Sequence, residues 1–299
     1  MNTALKTDLV YTRQYQDTLP KFDRGVSCLC WAYNEEEVIE KYLVRLNDLL
    51  SKYVEDYEIV IVDDASTDRT NEIIRAVQKE IPQLRLVTNP VNLNVGLSCQ
   101  KAVQTASKEF LFWQTVDWSY DISLVRIFFE LLKTHDVVAG VRREPTDRAS
   151  IQKRLLSFFR VLGPEHLRVR SDTVGKAWVS VLNYYLIRFL FKFPLSDYQN
   201  VVFYRTSLIQ SFKMESKSSF ANPEFLLKAH WSGASIAEVP ISFIPRTTGE
   251  GKGVSFKTIK ASMTDIITLW FQWIILGKKP GRQEGPVHRL DMTQWEKLR

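Results

Sequence analysis

The sequence predicts an α/β protein built on a mostly parallel sheet with helices on both faces. Three observations carry this expectation. Short runs that are apolar throughout, such as "YEIVIVDD" (57–64) and "EFLFWQTVD" (109–117), alternate with helix-period segments along the first half of the 299-residue chain. Strands without a polar side belong to sheets covered on both faces, and the helices between them supply parallel crossovers. Acidic residues (Asp63, Asp64 and Asp117) stand where those runs end, the edge at which sheets of this kind bind ligands.

Element by element, "VSCLCWAY" (26–33) reads as the first strand and "EEEVIEKYLVRLNDLLSKY" (35–53) as an amphipathic helix. The run 57–64 is the second strand, followed by a helix from Asp68 to Glu80. "LRLVTN" (84–89) is the third, with a helix over 95–107. "EFLFWQTVD" is the fourth, with the helix "ISLVRIFFELLKT" after it, and "DVVAGVR" (136–142) is the fifth. Residues 143–175 break the pattern and read as a basic loop or lid. An apolar helix over 176–193 follows, read as core or acceptor-groove lining, then a strand at 200–205, a short helix at 222–233 that closes at a glycine, and an extended run at 235–245. The expected division is a domain over 1–245 and a C-terminal appendage over 246–299. That appendage comprises a basic loop, an amphipathic helix and a tail.

With 45% hydrophobic and 12% aromatic residues the chain can bury a full core, which excludes wholesale disorder. Its three cysteines form neither an even framework nor a CxxC pair, as expected in a reducing compartment without structural zinc. No apolar h-region opens the chain, so a cytosolic protein, or one peripheral on the cytosolic face of a membrane, is expected. The net charge of +6 is uneven: residues 246–299 hold ten basic against five acidic residues, and 141–176 hold nine against four. Such segments suit anionic ligands or an anionic membrane surface. No nucleic-acid-binding motif accompanies them, so nucleic acid is not an expected partner.

An Asp before a helix is often only its cap, and Asp68 and Asp121 carry that reading. Asp63 and Asp64 do not: adjacent acids repel, and no packing purpose explains them. The ordered set "WAYNEEE", "IVIVDDASTDRT", "NVGLS", "TVDWS", "IAEVPISF" and "RTTGEGK" resembles the family-2 nucleotide-sugar glycosyltransferases of GT-A, Rossmann-like fold. Within them it is most similar to the branch that makes dolichyl- or polyprenyl-phosphate sugars. The resemblance covers about residues 25–253. It implies that Asp64, supported by Asp63, contacts the nucleoside, and that Tyr33 and Glu35 pack on it or bond to it. It also implies that Asp117 is the last acid of an Asp-X-Asp motif where Mg2+ or Mn2+ bridges to a UDP or GDP diphosphate. The motif reads "TVD" here, with Thr115 in the first acid's place. A hard ion that keeps several waters can manage with one carboxylate, with Thr115 or Asp121 assisting. The family's extra glycine is missing from "NVGLSCQKAVQ", so Gly96 and Ser98 carry no assignment.

"RTTGEGK" fits the branch's Arg-X-X-Gly-X-Ser-Lys with Gly251 in the serine position, which implies that Arg246 and Lys252 clamp the donor diphosphate or the lipid phosphate. Beyond it, apolar residues from Phe256 to Ile274 recur at steps of three and four. The apolar run to Leu276 is shorter than the roughly 20 residues that span a bilayer. This helix therefore suits a membrane interface, its own domain or a second subunit of a homo-oligomer. A lipid phosphate is an anionic nucleophile that needs no base. A hydroxyl acceptor, on a lipopolysaccharide, capsule or cell-wall intermediate, needs one. Asp197, which matches an acid near the family's acceptor side, is the first candidate and Glu224 the second. A catalytically silent nucleotide-sugar-binding protein is the remaining alternative. A nicotinamide dehydrogenase is excluded, because "AYNEEE" stands where a G-x-G-x-x-G turn is needed.

Overall fold

The computed structural model describes residues 13–118, 120, 122–143, 174–198, 200–242 and 256–289. Its centre is an eight-stranded sheet of order β3-β2-β1-β4-β6-β5-β7-β8. The strands are β1 (Val26–Ala32), β2 (Tyr57–Asp63), β3 (Leu84–Thr88), β4 (Phe110–Trp113), β5 (Val137–Arg143), β6 (Val202–Arg205), β7 (Ile236–Ser242) and β8 (Val287–Arg289). Only β6 runs against its neighbours, β4 and β5; all other pairs are parallel.

The helices are α1 (Arg13–Thr18), α2 (Ile39–Tyr53), α3 (Thr70–Gln78), α4 (Asn94–Thr105), α5 (Val125–Leu132), α6 (Val174–Phe191), α7 (Thr206–Gln210), α8 (Ala221–Trp231) and α9 (Phe256–Trp270). Strand periodicity divides the core between the two faces. Cys28, Cys30, Ile59, Ile61, Phe110 and Phe112 point to one side, against α2, α3 and α5. Leu29, Val60, Val62, Leu111 and Trp113 point to the other, against α4, α6, α8 and α9. Covering on both sides is the reason these strands have no polar alternation. α2 follows the same logic: Ile39, Tyr42, Leu43, Leu46, Leu50 and Tyr53 make one buried stripe. Gly96 in α4 is a packing requirement, because a Cβ there would sit 2.5 Å from the backbone of Lys217.

The expected boundary at 245 does not separate an appendage. Ile266, Leu269 and Trp273 lie in the same core cluster as Phe225 and Trp231, and β8 pairs with β7. The amphipathic period of 256–276 is therefore largely the imprint of packing on the chain's own domain. α9 gives way to a π-helical turn, Phe271–Ile275, that seats Trp273. The fourth strand ends at Trp113 rather than Asp117, because residues 115–118 turn, with Trp118 N–H donating to Thr115 O at 2.9 Å.

Candidate active site

β1, β2 and β4 are parallel neighbours, so their carboxyl ends share one edge of the sheet. Antiparallel β6 starts at that same edge, with Phe203 opposite Phe112. The loops after β1, β2 and β4 and the entry to β6 thus lie side by side across four adjacent strands. Tyr33 and Glu35, Asp63 and Asp64, Asp117, and Asp197 occupy those four places.

Asp63 ends β2 at 1% exposure, opposite Ala32 and Thr88. It accepts hydrogen bonds from Ser66 N (3.1 Å) and Asn71 Nδ2 (2.6 Å). Asp64, also buried, accepts from Asn89 Nδ2 (2.7 Å) and Leu93 N (2.8 Å), which fixes the loop after β3. The adjacent acids therefore have separate structural partners, contrary to the expectation of no packing purpose, and their carboxylates are oriented by amide donors.

The loop after β1 is stitched to the loop after β2. Asn34 N donates to Ser66 Oγ, Glu35 N to Thr70 Oγ1 at 2.8 Å, and Glu36 N to Asp68 Oδ2. In return Thr67 N donates to Asn34 Oδ1 and Arg69 N to Glu36 Oε2. Asp68 Oδ1 accepts Thr70 N at 2.9 Å, which is a cap-like contact at the start of α3. Burial pushes the Asp68 carboxyl up, but hydrogen bonds from Thr70 and Glu36 outweigh it and hold it below the usual range. Tyr33 leaves an exposed ring beside this lattice.

At the end of β4, Gln114 fixes the turn carrying Asp117. It donates to Tyr120 O (2.9 Å) and accepts from Thr115 N (3.0 Å), while Gln114 O accepts from Tyr42 Oη (2.9 Å). Trp118 packs edge-on to Tyr42 and beneath the Arg45 guanidinium, 4.0 Å from the ring centroid. Burial foremost, with Cys30, Cys28 and Asp117 nearby, pushes the Tyr42 phenol well up. Asp117 is partly buried, with Oδ2 shielded from solvent. Among the described residues no group of three His, Cys, Asp or Glu could hold a metal. One hard carboxylate with a neighbouring hydroxyl, Thr115, fits a divalent ion that takes its remaining ligands from phosphate and water. Asp121, Arg246 and Lys252 lie outside the described residues, as does most of the basic segment 143–175.

Asp197 is buried at the entry to β6, with Oδ2 3.3 Å from Asn200 Nδ2. Glu224 is not placed for acceptor chemistry. It is 0% exposed, its oxygens accept Glu215 N and Ser216 N, both at 2.8 Å, and Lys228 Nζ lies 2.6 Å away. Its position on the inward side of α8 makes it the anchor of loop 213–218. Sequence reasoning missed Asn89, Gln114, Asn200 and Glu238. Only Asn89 and Gln114 had a signal, as amides directly after apolar runs.

Residues 27–199 match the model of glycosyl transferase family 2. The dolichyl-phosphate beta-glucosyltransferase ALG5A of Trichomonas vaginalis is 33% identical over 137 residues, 42% of this chain and 42% of that protein. Glycosyltransferase AglD of Haloferax volcanii is 21% identical over 254 residues, 83% of this chain and 37% of its own. The chain thus spans less than half the length of either relative. Among solved structures, the mannosyltransferase PcManGT from Pyrobaculum calidifontis, in complex with GDP-Man and Mn2+, superimposes with a TM-score of 0.54 at 17% identity, over 96% of this chain and 73% of that one. Glucosyl-3-phosphoglycerate synthase from Mycobacterium tuberculosis, with Mn2+, UDP and glucosyl-3-phosphoglycerate, does so with 0.54 at 16%, over 83% and 79%. Those two likenesses establish the fold as GT-A. The family model matches more than half of this chain, and the chain belongs to glycosyl transferase family 2.

Proposed function

We propose that this protein is an inverting, metal-dependent glycosyltransferase that moves a sugar from a UDP or GDP donor to a polyprenyl phosphate, dolichyl or undecaprenyl. The observation that carries the proposal is the row of oriented side chains across β2, β1, β4 and β6 at one sheet edge. The similarity to a dolichyl-phosphate glucosyltransferase supports the acceptor class.

In this reading Asp64, already aimed by Asn89 and Leu93, accepts from the nucleoside with Asp63 behind it, and Tyr33 and Glu35 flank the same ligand. Asp117, with Thr115, would hold Mg2+ or Mn2+. When bound, such an ion neutralises charge on the departing diphosphate. Arg246 and Lys252 are assigned to the same anions or to the lipid phosphate. The acceptor phosphate oxygen attacks the anomeric carbon from the face opposite the leaving group, which inverts the centre without a base. Preorganised charge at the leaving group contributes most of the rate.

A hydroxyl acceptor is the second reading, favoured by one observation: Asp197 is a carboxylate held at the same edge, where a general base would be needed. Product analysis after incubation with purified donors and undecaprenyl phosphate separates the readings. An acid-labile sugar phosphate supports the first, an alkali-stable glycoside the second. Nucleotide binding without turnover on any acceptor would leave a silent binding protein.

The proposal also puts the protein peripherally on the cytosolic face of a membrane. Among the described residues no helix is long and apolar enough to cross one. The exposure of Phe189 (82%) on α6 and of Ile267, Phe271 and Leu276, with exposed Lys192, Lys260 and Lys278 in the same two segments, supports interfacial contact. Tyr184, Ile187 and Phe191 of α6 line the core, one of the two roles expected of this helix beside acceptor-groove lining, while Leu182, Tyr185 and Phe189 are exposed. Cosedimentation with anionic vesicles that survives Phe189→Ser combined with Phe271→Ser would remove this part of the proposal.

A further inference from the structure

The carboxylate of Glu238 is 4% exposed in the middle of β7. It shares the strand face of Ile236, the face covered by Tyr184, Phe193, Leu195 and Tyr198. A charge placed in such a layer is costly unless it is hydrogen-bonded and paired. Glu238 has both kinds of partner. Oε1 accepts Ser196 N at 2.5 Å, and Oε2 accepts Ser196 Oγ at 2.9 Å and Arg289 Nε at 3.0 Å. Arg289 stands opposite Glu238 in the β7–β8 register, and its Nη2 donates to Pro194 O at 2.6 Å. Two strands that come late in the chain therefore grip residues 194–196. The far end of the same loop is fixed as well: Asn200 O accepts Asn222 Nδ2 and Val201 O accepts Gly140 N, both at 2.9 Å. Asp197 lies between the two grips.

We propose that Glu238 and Arg289 are positioning residues for the acceptor step: the β7–β8 ion pair sets the loop 194–197, and through it the aim of Asp197. The segment the sequence presents as a tail is then part of the acceptor-side machinery. This deepens the second reading above, transfer to a hydroxyl, and rests on its placing of Asp197 as the base beside that acceptor. A carboxylate serving stability alone would, when disturbed, weaken donor and acceptor handling together. A positioning pair acts on one of them, because the donor-side loops after β1 and β2 are held by hydrogen bonds to each other.

The test uses the full chain and four variants: Arg289→Ala, Arg289→Lys, Glu238→Gln and Asp197→Asn. Titration with UDP or GDP and Mn2+ gives donor-side affinity, and steady-state transfer gives acceptor KM and kcat. The expected result for Arg289→Ala is nucleotide affinity within about twofold of wild type with kcat lowered about tenfold. Arg289→Lys should recover part of the loss, since an ammonium can pair with Glu238 but lacks the fork that also reaches Pro194 O. Glu238→Gln should behave like Arg289→Ala. In the Asp197→Asn background, Arg289→Ala should add almost nothing, because both changes act through one group. Unchanged transfer by Arg289→Ala overturns the proposal, as does an equal loss of nucleotide affinity or full additivity with Asp197→Asn. Full activity of Asp197→Asn overturns the placing of Asp197 itself. In that event a kcat-selective loss in Arg289→Ala still supports the grip on the loop, and no loss removes it.

Discussion

Glu224 offers a direct trial of architecture against chemistry. Its side chain is wholly buried, holds two backbone N–H groups and faces Lys228 one helical turn on, itself 3% exposed. Lys228 Nζ has further partners, Glu215 Oε1 at 3.1 Å and Lys213 O. Glu224→Ala removes the buried counter-ion and strands both N–H groups. Breaking a buried pair from one side costs about 3–5 kcal/mol, and each stranded donor about 1–3 kcal/mol. Glu215 stays near the ammonium and is itself partly exposed, which puts the net loss at the low end of that sum, about 5 kcal/mol, a large part of a typical domain's 5–15 kcal/mol. Glu224→Gln keeps the shape but turns an amide NH2 toward a backbone N–H, for about 2–3 kcal/mol. Urea unfolding should show the midpoint falling in that order with the slope unchanged. Nucleotide affinity of the folded fraction should stay within about twofold of wild type. A Gln variant with wild-type stability and no transfer would show that the carboxylate serves catalysis and that the structural reasoning is wrong.

Asp117→Ala should lower transfer roughly a thousandfold and remove the Mn2+-dependent part of nucleotide binding in calorimetric titration; full activity would end the metal assignment. Burial pushes the Glu58 carboxyl up, but hydrogen bonds from Ser27, Ser107 and Arg85 outweigh it and hold it below its ordinary 4.5. A depressed folded value contributes stability that is complete above 4.5 and is lost as pH falls through the folded pKa. Glu58→Gln should therefore flatten the acid limb of stability against pH, and an unchanged limb would discount this carboxylate. Burial raises the Cys28 and Cys99 thiols well above their usual value and takes Cys30 to about 12. Native protein should resist thiol reagents that label all three cysteines after denaturation, and rapid native labelling would contradict the packing.

Legibility in the sequence followed the range of the forces involved. Strands β1, β2, β4 and β5 announce themselves because their central residues are apolar on both sides, β3 by a shorter run broken at Arg85, and α2 because its buried stripe keeps the 3.6 period. The rim acids are legible for a related reason: Asp63 and Asp64 interrupt an apolar run with charge, which local packing cannot explain in a single strand. Their partners are not legible, since Asn89 and Leu93 reach Asp64 across more than twenty residues. β8 is three residues long and mostly exposed, and nothing local distinguishes "VHR" from a loop. Glu224 misled for the converse reason. An acid in the first turn of a helix looks available, and only the fold shows loop 213–218 and Lys228 closing over it.

The rim also concentrates backbone strain. Among the described residues five that are not glycine have left-handed φ: Asn34 (55°), Ala65 (60°), Asn94 (64°), Trp118 (54°) and Lys192 (52°). Four of them follow β1, β2, β3 and β4, at the edge where the acids gather. Asn tolerates this conformation, whereas Ala and Trp bear about 1–2 kcal/mol each. Local hydrogen bonds accompany each of these four bends: Ser66 and Thr67 hold Asn34, Asp63 holds the turn after Ala65, Asn92 Oδ1 receives Asn94 N–H, and Thr115 O receives Trp118 N–H. Relaxing these bends would re-aim Asp64 and Asp117. Backbone that stays strained because its surroundings over-determine it is the signature of a site fixed before its ligand arrives. An anionic leaving group meeting oriented groups requires little rearrangement at the moment of bond cleavage, which is how electrostatic catalysis gains over water. The strain at the ends of β1 to β4 is therefore better understood as a cost of preorganisation than as a defect of the loops.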